Sequence, residues 1–412
     1  MAEPCKENKL TKKTNKITDK RASDIQSKFT KITNKLETIV FERDEVIEAI
    51  KLSMLSNQNV LLLGPPGTGK SMTVKLWASF ISGGTYFEKL LSKFSTPDEL
   101  FGPISVKGLE EDRLRHQTKN YLPEADFAFI DEVFKANTGV LNAMLKIMNE
   151  REYDDDGMIK KVPLLAMVGA SNEIPEPEDG LDAMYDRFHI KLKVPYIFET
   201  SNWVRMIGST GKAVIPEDQK LKMEDIAEAA AFAQNQITVD EEMLEILLTI
   251  KNQLKREALI ISDRTWWNTV QSLKSQAYLS GRTSVQIEDF EFLIHMLWND
   301  DRNIVKVRST VLEIANPDKN EAMMHLDTAR DVYEKAISDE ETDKGNIGDA
   351  LAAIEKIKKC KVKVDKKVTT RKNHKRDTAD LKKISNEMGK MIGSLSSESL
   401  GLGEEYKKIF QR

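Results

Sequence analysis

Eight consecutive residues, Gly64-Pro65-Pro66-Gly67-Thr68-Gly69-Lys70-Ser71, have the types and order needed to hold a polyphosphate. Glycines let a backbone curl until its N–H groups converge on phosphate oxygens. Lys70 is placed to reach β- and γ-phosphates and Ser71 to ligate Mg²⁺, with Met72 completing the candidate binding set Gly64–Met72. An apolar run, Val60-Leu61-Leu62-Leu63, precedes the loop, and a helix-like stretch from Ser71 to Phe80 follows it. Strand, loop and helix form the context in which this pattern is a nucleotide site, because the helix N-terminus adds partial positive charge. The competing reading is a glycine-rich turn before an ordinary helix.

Two more strand-like runs end in groups that complete such a site. Phe127-Ala128-Phe129-Ile130 leads into Asp131-Glu132, and a short apolar run of this kind reads as a buried parallel strand. Ligands of open parallel sheets bind at the carboxyl ends of strands, which would put both acids beside the loop. Asp131 suits a Mg²⁺ ligand and Glu132 a base that polarises the attacking water. Leu164 to Ala170 is a third run, tipped by Ser171-Asn172. Asn172 could orient that water or touch the γ-phosphate, or could only satisfy backbone groups at a strand end.

The elements around these residues follow an α/β pattern. Residues 60–195 alternate short apolar strands with helical segments, as in a parallel sheet with helices on both faces. Two insertions interrupt it. Residues 92–124 are broken by Phe101-Gly102-Pro103 and Lys107-Gly108, and Arg151–Pro163 centres on Asp154-Asp155-Asp156-Gly157, a hairpin signal. A helix pattern begins near Ile39 and runs to Leu55. From 198 to 300 the chain reads as helices, with Leu244, Ile246, Leu247, Ile250 and Leu254, then Trp266, Trp267, Val270 and Leu273, then Phe290, Leu293, Ile294 and Leu297 at helical spacing. Residues 1–36 are basic and read as a solvated arm, or as a binder of nucleic acid or an acidic partner. Residues 301–412 are charged helices, acidic over Asp327–Glu341 and basic over Lys356–Arg376. Self-paired charged faces and nucleic-acid contact are both open readings of that stretch.

The order of phosphate loop, Asp-Glu strand, Asn-tipped strand and Asp186-Arg187-Phe188 resembles AAA+ ATPases. Phe94-Ser95-Thr96-Pro97-Asp98-Glu99-Leu100-Phe101-Gly102-Pro103, Tyr121-Leu122-Pro123-Glu124-Ala125, Leu141-Asn142-Ala143-Met144-Leu145, Met148-Asn149-Glu150-Arg151 and Ser262-Asp263-Arg264-Thr265-Trp266 narrow the likeness to the MoxR group and its RavA-type (regulatory ATPase variant) members. The likeness runs from about residue 37 to 300. It implies an AAA+ α/β domain over 37–197, an all-α lid over 198–300, and a hexameric ring that hydrolyses ATP with Mg²⁺. It also implies that residues 39–55 lie against the adenine, that the two insertions face the ring's pore, and that Arg187 is presented to a neighbour's γ-phosphate. Arg264 takes the sensor-2 place. At a helix head a positive charge gains nothing from the dipole, so a bound phosphate or an ion pair with Asp263 or another acid must explain it. Family partners include von Willebrand A proteins, and the implied role is remodelling of protein complexes. A nucleic-acid motor and a nucleotide-gated scaffold are the alternatives.

Composition suits a soluble protein of a reducing cytoplasm. The 412 residues carry a formal charge of −4, which argues against a general polyanion binder. Two cysteines, Cys5 and Cys360, do not make a disulfide framework, and five scattered histidines make no metal motif. No signal-like segment and no membrane-spanning apolar run is present.

Overall fold

Helical spacing begins before the first strand. The computed structural model describes residues 19–173, 182–209, 216–341, 347–373 and 378–398. Over this range the expected solvated arm is corrected. Residues 1–18 lie outside the described ones, but α1 (Lys20–Glu37) is a packed helix. Ala22, Ile25, Phe29, Ile32 and Leu36 recur at alternating steps of three and four and are all buried. The Phe29 ring stacks on Trp77 at 6.3 Å. Asp225, itself buried, takes Arg21 at 2.6 Å and Lys28 at 2.7 Å, so these two basic residues of the segment serve as internal ties.

The α/β part follows in order: α2 (Asp44–Ser56), β1 (Val60–Leu63), α3 (Lys70–Ser79), β2 (Ile81–Ser82), β3 (Tyr86–Leu90), α4 (Asp98–Phe101), α5 (Val106–Glu110), β4 (Phe127–Asp131), α6 (Thr138–Glu150), β5 (Glu152–Asp155), β6 (Met158–Lys161), β7 (Ala166–Ser171), α7 (Asp182–Tyr185) and β8 (Ile190–Lys193). Five strands form one sheet in the order β3-β4-β7-β1-β8, every pair parallel. β1 is buried along its whole length, as a parallel strand covered on both faces must be. Leu63 stands beside Ser171 and Lys193, so the carboxyl ends of β7, β1 and β8 are level. β5 and β6 are the expected hairpin, turning at Asp156-Gly157 with positive φ at both residues. The 92–124 insertion docks on it: Phe101 stacks on Tyr153 at 5.3 Å, and the Tyr153 hydroxyl pairs with His116 Nδ1 at 2.7 Å.

A helical part packs against α2: α8 (Thr200–Gly208), the two-residue β9 (Leu221–Lys222, paired with β2), α9 (Met223–Gln236), α10 (Glu241–Arg256) and α11 (Asp263–Leu279). In α10 the buried stripe is Met243, Leu247, Ile250 and Leu254, while Leu244 faces solvent. The helix expected around Phe290 is a 3₁₀ run, Ile287–His295. Its buried apolar residues Phe290 and Leu293, and Met296 just past its end, recur every three, the 3₁₀ period.

From Ile304 a second compact unit begins. It comprises α12 (Ile304–Ala315), α13 (Pro317–Glu341), α14 (Ile347–Asn373) and α15 (Ala379–Glu398). Leu326, Ile354, Ile357, Val364, Leu381, Met388 and Ile392 belong to its own core, with Cys360 buried among them as a free thiol. Part of the basic stretch of α14 is spent on pairing: Lys367 contacts Glu321 at 2.7 Å and Arg371 contacts Asp318 at 2.8 Å.

Because α1 is part of the core, Phe29→Ala is expected to cost about 3–5 kcal/mol of stability. Urea denaturation checks this, and a cost below about 1 kcal/mol would return α1 to the status of an appended arm.

Candidate functional site

The candidate phosphate loop, residues 64–71, starts where β1 runs out. Gly64 donates its N–H to Ser171 O at 3.0 Å, which ties the loop to the end of β7. A Cβ on Gly64 would lie 2.2 Å from Val194 O, so no other residue fits between β1 and the exit of β8. Gly67 (φ 79°) and Gly69 (φ 77°) take left-handed conformations that a side chain would strain. Thr68, buried, donates its hydroxyl to Pro65 O at 3.1 Å and folds the loop on itself. Gly69 is the N-cap of α3, and Lys70 and Ser71 open that helix, whose first N–H groups have no partner within it. The Met72 side chain is exposed.

Lys70, Asn172 and Glu132 form one hydrogen-bonded chain across the ends of β1, β7 and β4. The Lys70 ammonium donates to the carbonyl oxygens of Gly64 and Pro65, and to Asn172 Oδ1 at 3.2 Å. Asn172 Nδ2 in turn donates to Glu132 Oε1 at 2.6 Å. Asn172 therefore does more than satisfy a strand end. Lys135, three residues on, sets its ammonium 3.2 Å from Glu132 Oε2. Glu132 has left-handed backbone (φ 51°, ψ 44°), an uncommon conformation for a residue with a side chain and one that clusters at functional sites. Asp131 precedes it at the tip of β4 and accepts the Glu132 N–H at 3.0 Å. Burial pushes the Asp131 carboxyl up and the Lys70 ammonium down from their ordinary ranges, each partly countered by the other's charge. A polyphosphate–metal complex placed between them would remove much of that penalty.

The two candidate arginines form a second cluster around Asp186. Arg187 Nη1 lies 3.1 Å from the Asp186 carboxylate, and among the described residues its buried Nε has no hydrogen-bond partner. Its backbone carbonyl accepts Asn59 Nδ2 at 3.1 Å, fixing the turn before β8. Arg264, more than half exposed, approaches the same carboxylate at 3.9 Å. Asp263 is taken instead by Lys251 at 3.2 Å. Among the described residues, neither arginine is hydrogen-bonded to the Lys70–Asn172–Glu132 chain. Leu181, ahead of α7, lies outside the described residues.

The sequence leaves three residues that touch this site almost unmarked, Lys135, Arg43 and Tyr196, and beside them Glu42, whose carboxylate lies on α8 and not on the loop. Lys135 is signalled only by its i+3 spacing from Glu132. Arg43 donates to Thr68 O at 3.0 Å, and Tyr196 donates its hydroxyl to Pro66 O at 3.2 Å. Glu42 accepts backbone N–H groups at the start of α8. Arg43 did carry a signal: it is the N-cap residue of α2, where a positive charge opposes the dipole.

A family model for the MoxR domain of MoxR-vWA-beta-propeller ternary systems matches residues 27–232, and one for an AAA lid domain matches 242–311. An uncharacterised protein of Methanocaldococcus jannaschii is 41% identical over 297 residues, 71% of this chain and 76% of its own length. The chaperone MoxR1 of Mycobacterium tuberculosis is 27% identical over 47% of this chain and 52% of its own. The crystal structure of a proposed ATPase from Cytophaga hutchinsonii superposes with a TM-score of 0.58 at 17% identity, covering 72% of this chain and 97% of that one, a likeness of fold.

Gly64→Ala drives a methyl group into the Val194 carbonyl, an overpacking that typically costs about 1–3 kcal/mol. The variant is expected to melt at lower temperature and to bind ATP more weakly. Parental melting together with parental affinity in calorimetry would show that the exit of β8 is free to retreat.

Proposed function

The chain belongs to the MoxR group of AAA+ ATPases, and on that premise we propose that it hydrolyses ATP to ADP and phosphate with Mg²⁺, as a hexameric ring of identical subunits. The observation that carries this reading is the Lys70–Asn172–Glu132 chain, which joins a phosphate-binding cation to a carboxylate base through one amide. Gly64, Pro65, Pro66, Gly67, Thr68, Gly69, Lys70, Ser71 and Met72 would hold the nucleotide. The Ser71 hydroxyl and the Asp131 carboxylate would hold Mg²⁺, which when bound neutralises phosphate charge. Among the described residues no group of three or more His, Cys, Asp and Glu is placed to hold a metal ion. One hydroxyl and one carboxylate suit an ion that keeps water and phosphate oxygens as its other ligands.

In this reading Glu132 takes a proton from the attacking water and Asn172 orients that water. Arg187 of the neighbouring subunit stabilises charge developing on the γ-phosphoryl oxygens, an effect worth about 10³–10⁵ in rate where arginine fingers have been measured. Arg264, at the head of α11, ties the lid to nucleotide state. Turnover would move the lid and the two insertions and remodel a protein client in the cytoplasm. A chaperone role and a von Willebrand A partner are supported by the descriptions of the relatives. The narrower RavA-type likeness rests on the sequence motifs. A nucleic-acid motor is less favoured, because Lys367 and Arg371 of the basic stretch are held by acids of their own unit. Among the described residues no helix is long and apolar enough to cross a membrane.

Complementation tests the ring. Lys70→Ala should abolish ATP binding and Arg187→Ala should bind ATP without hydrolysing it. Mixed assemblies should regain part of the activity, since one subunit supplies the arginine and its neighbour the loop. Mixed rings that stay inactive, with a linear loss when either variant is titrated into the parent, would remove Arg187 from the shared site. ATP turnover by a species that sediments as a monomer would remove the ring itself.

A further inference from the structure

Three consecutive residues before α2 reach across to the segment that leaves β8. Arg205 lies over the Phe41 ring at 4.7 Å. Glu42 accepts the N–H groups of Phe198 at 2.8 Å and Glu199 at 2.9 Å, and Asn202 Nδ2 at 3.0 Å, which supplies acceptors at the start of α8. Arg43 is 4% exposed, and its three hydrogen bonds all end on carbonyl oxygens: Thr68 at 3.0 Å, Pro195 at 2.8 Å and Glu42 at 2.6 Å. A guanidinium offers its N–H donors in a rigid planar fork, so it fixes the positions of its acceptors relative to one another. Tyr196 adds a fourth tie, from its hydroxyl to Pro66 O at 3.2 Å.

Two of these bonds hold the phosphate loop from behind. A trans peptide unit is planar, and its C=O and N–H point in opposite directions. Among the described residues no peptide bond is cis. Holding the Thr68 carbonyl therefore aims the Gly69 N–H, and holding the Pro66 carbonyl aims the Gly67 N–H. Gly67 and Gly69 are the two left-handed glycines of the loop, with no Cβ to restrict their peptide planes. Their orientation needs an outside restraint, and Arg43 and Tyr196 provide one each.

We propose that Arg43 and Tyr196 are positioning residues that aim the Gly69 and Gly67 N–H groups into the phosphate cradle, and that Glu42 passes movement of this latch to α8. The proposal rests on the reading of the loop as a nucleotide site. When phosphate draws those N–H groups, their peptide planes tilt. The Thr68 and Pro66 carbonyls tilt with them, and Arg43 and Tyr196 carry the shift to Pro195 and onward. α8 holds Trp203, half exposed, as a reporter at the far end of this path.

The test measures nucleotide affinity, steady-state kinetics and Trp203 emission separately on the full chain, with Trp203→Phe as the blank. Losing hydrogen bonds that involve a charged donor is expected to raise the KM for ATP about 10–100-fold in Arg43→Gln, with kcat changed less than about threefold. Arg43→Lys should recover only part of this, because an ammonium cannot reproduce the fork. Tyr196→Phe, at an exposed position where folding is not at stake, should raise KM about 3–10-fold. Glu42→Ala should bind ATP within about threefold of the parent but lose the nucleotide-dependent change in Trp203 emission that the parent shows. Parental KM in Arg43→Gln and Tyr196→Phe would overturn the positioning role. Parental KM in Tyr196→Phe alone would do so if Arg43→Gln fails to fold. A full Trp203 response in Glu42→Ala, or none in the parent while it binds ATP, would overturn the relay. A parent that binds no ATP would instead overturn the nucleotide reading beneath it.

Discussion

Everything at this site depends on a parallel register. Gly64 bonds to Ser171, and Leu63 stands level with Ser171 and Lys193, so three strands end on one line. That alignment lets one amide, Asn172, touch both Lys70 and Glu132. A one-residue slip of β7 against β1 would turn Asn172 to the opposite face and break the chain in two. The buried runs that make these strands are therefore as much a part of the site as the polar residues that tip them. The same packing explains Gly64, where the exit of β8 passes too close for any side chain.

The placement of most of the candidate site was legible because phosphate binding would demand particular side chains at particular spacings. Gly64 to Ser71, Asp131-Glu132 and Asn172 each follow or end an apolar run, and the runs could be read as strands. Two of the residues that escaped reading are held by backbone carbonyls. Arg43 and Tyr196 find the loop through Thr68 O and Pro66 O, and a carbonyl is present at every residue, so it leaves no mark in the sequence. α1 escaped for another reason. Its stripe from Ala22 to Leu36 is regular, but the Lys, Thr and Ser residues between hide it when composition is judged by the segment. The 3₁₀ run at Ile287–His295 shows the limit of spacing arguments, since steps of three fit both helix types over so short a length.

The second unit follows the same physical logic with different materials. Its helices are rich in charge, and their apolar residues still recur closely enough to build a core around Ile357, Val364 and Leu381. Acid–base pairs such as Arg371 with Asp318 and Asp380 then hold a basic surface that would otherwise repel itself. The thiol of Cys360 lies within this core, where it acts as a small apolar group.

The central claim is that Glu132, positioned by Asn172, is the base of an ATPase. ATP affinity and steady-state turnover of Glu132→Gln, measured side by side with the parent, test it most directly. The amide keeps the shape and the bond to Asn172 but cannot accept a proton, so affinity should stay within about threefold while turnover falls at least about 100-fold. Turnover within about threefold of the parent, at unchanged affinity, would contradict the account.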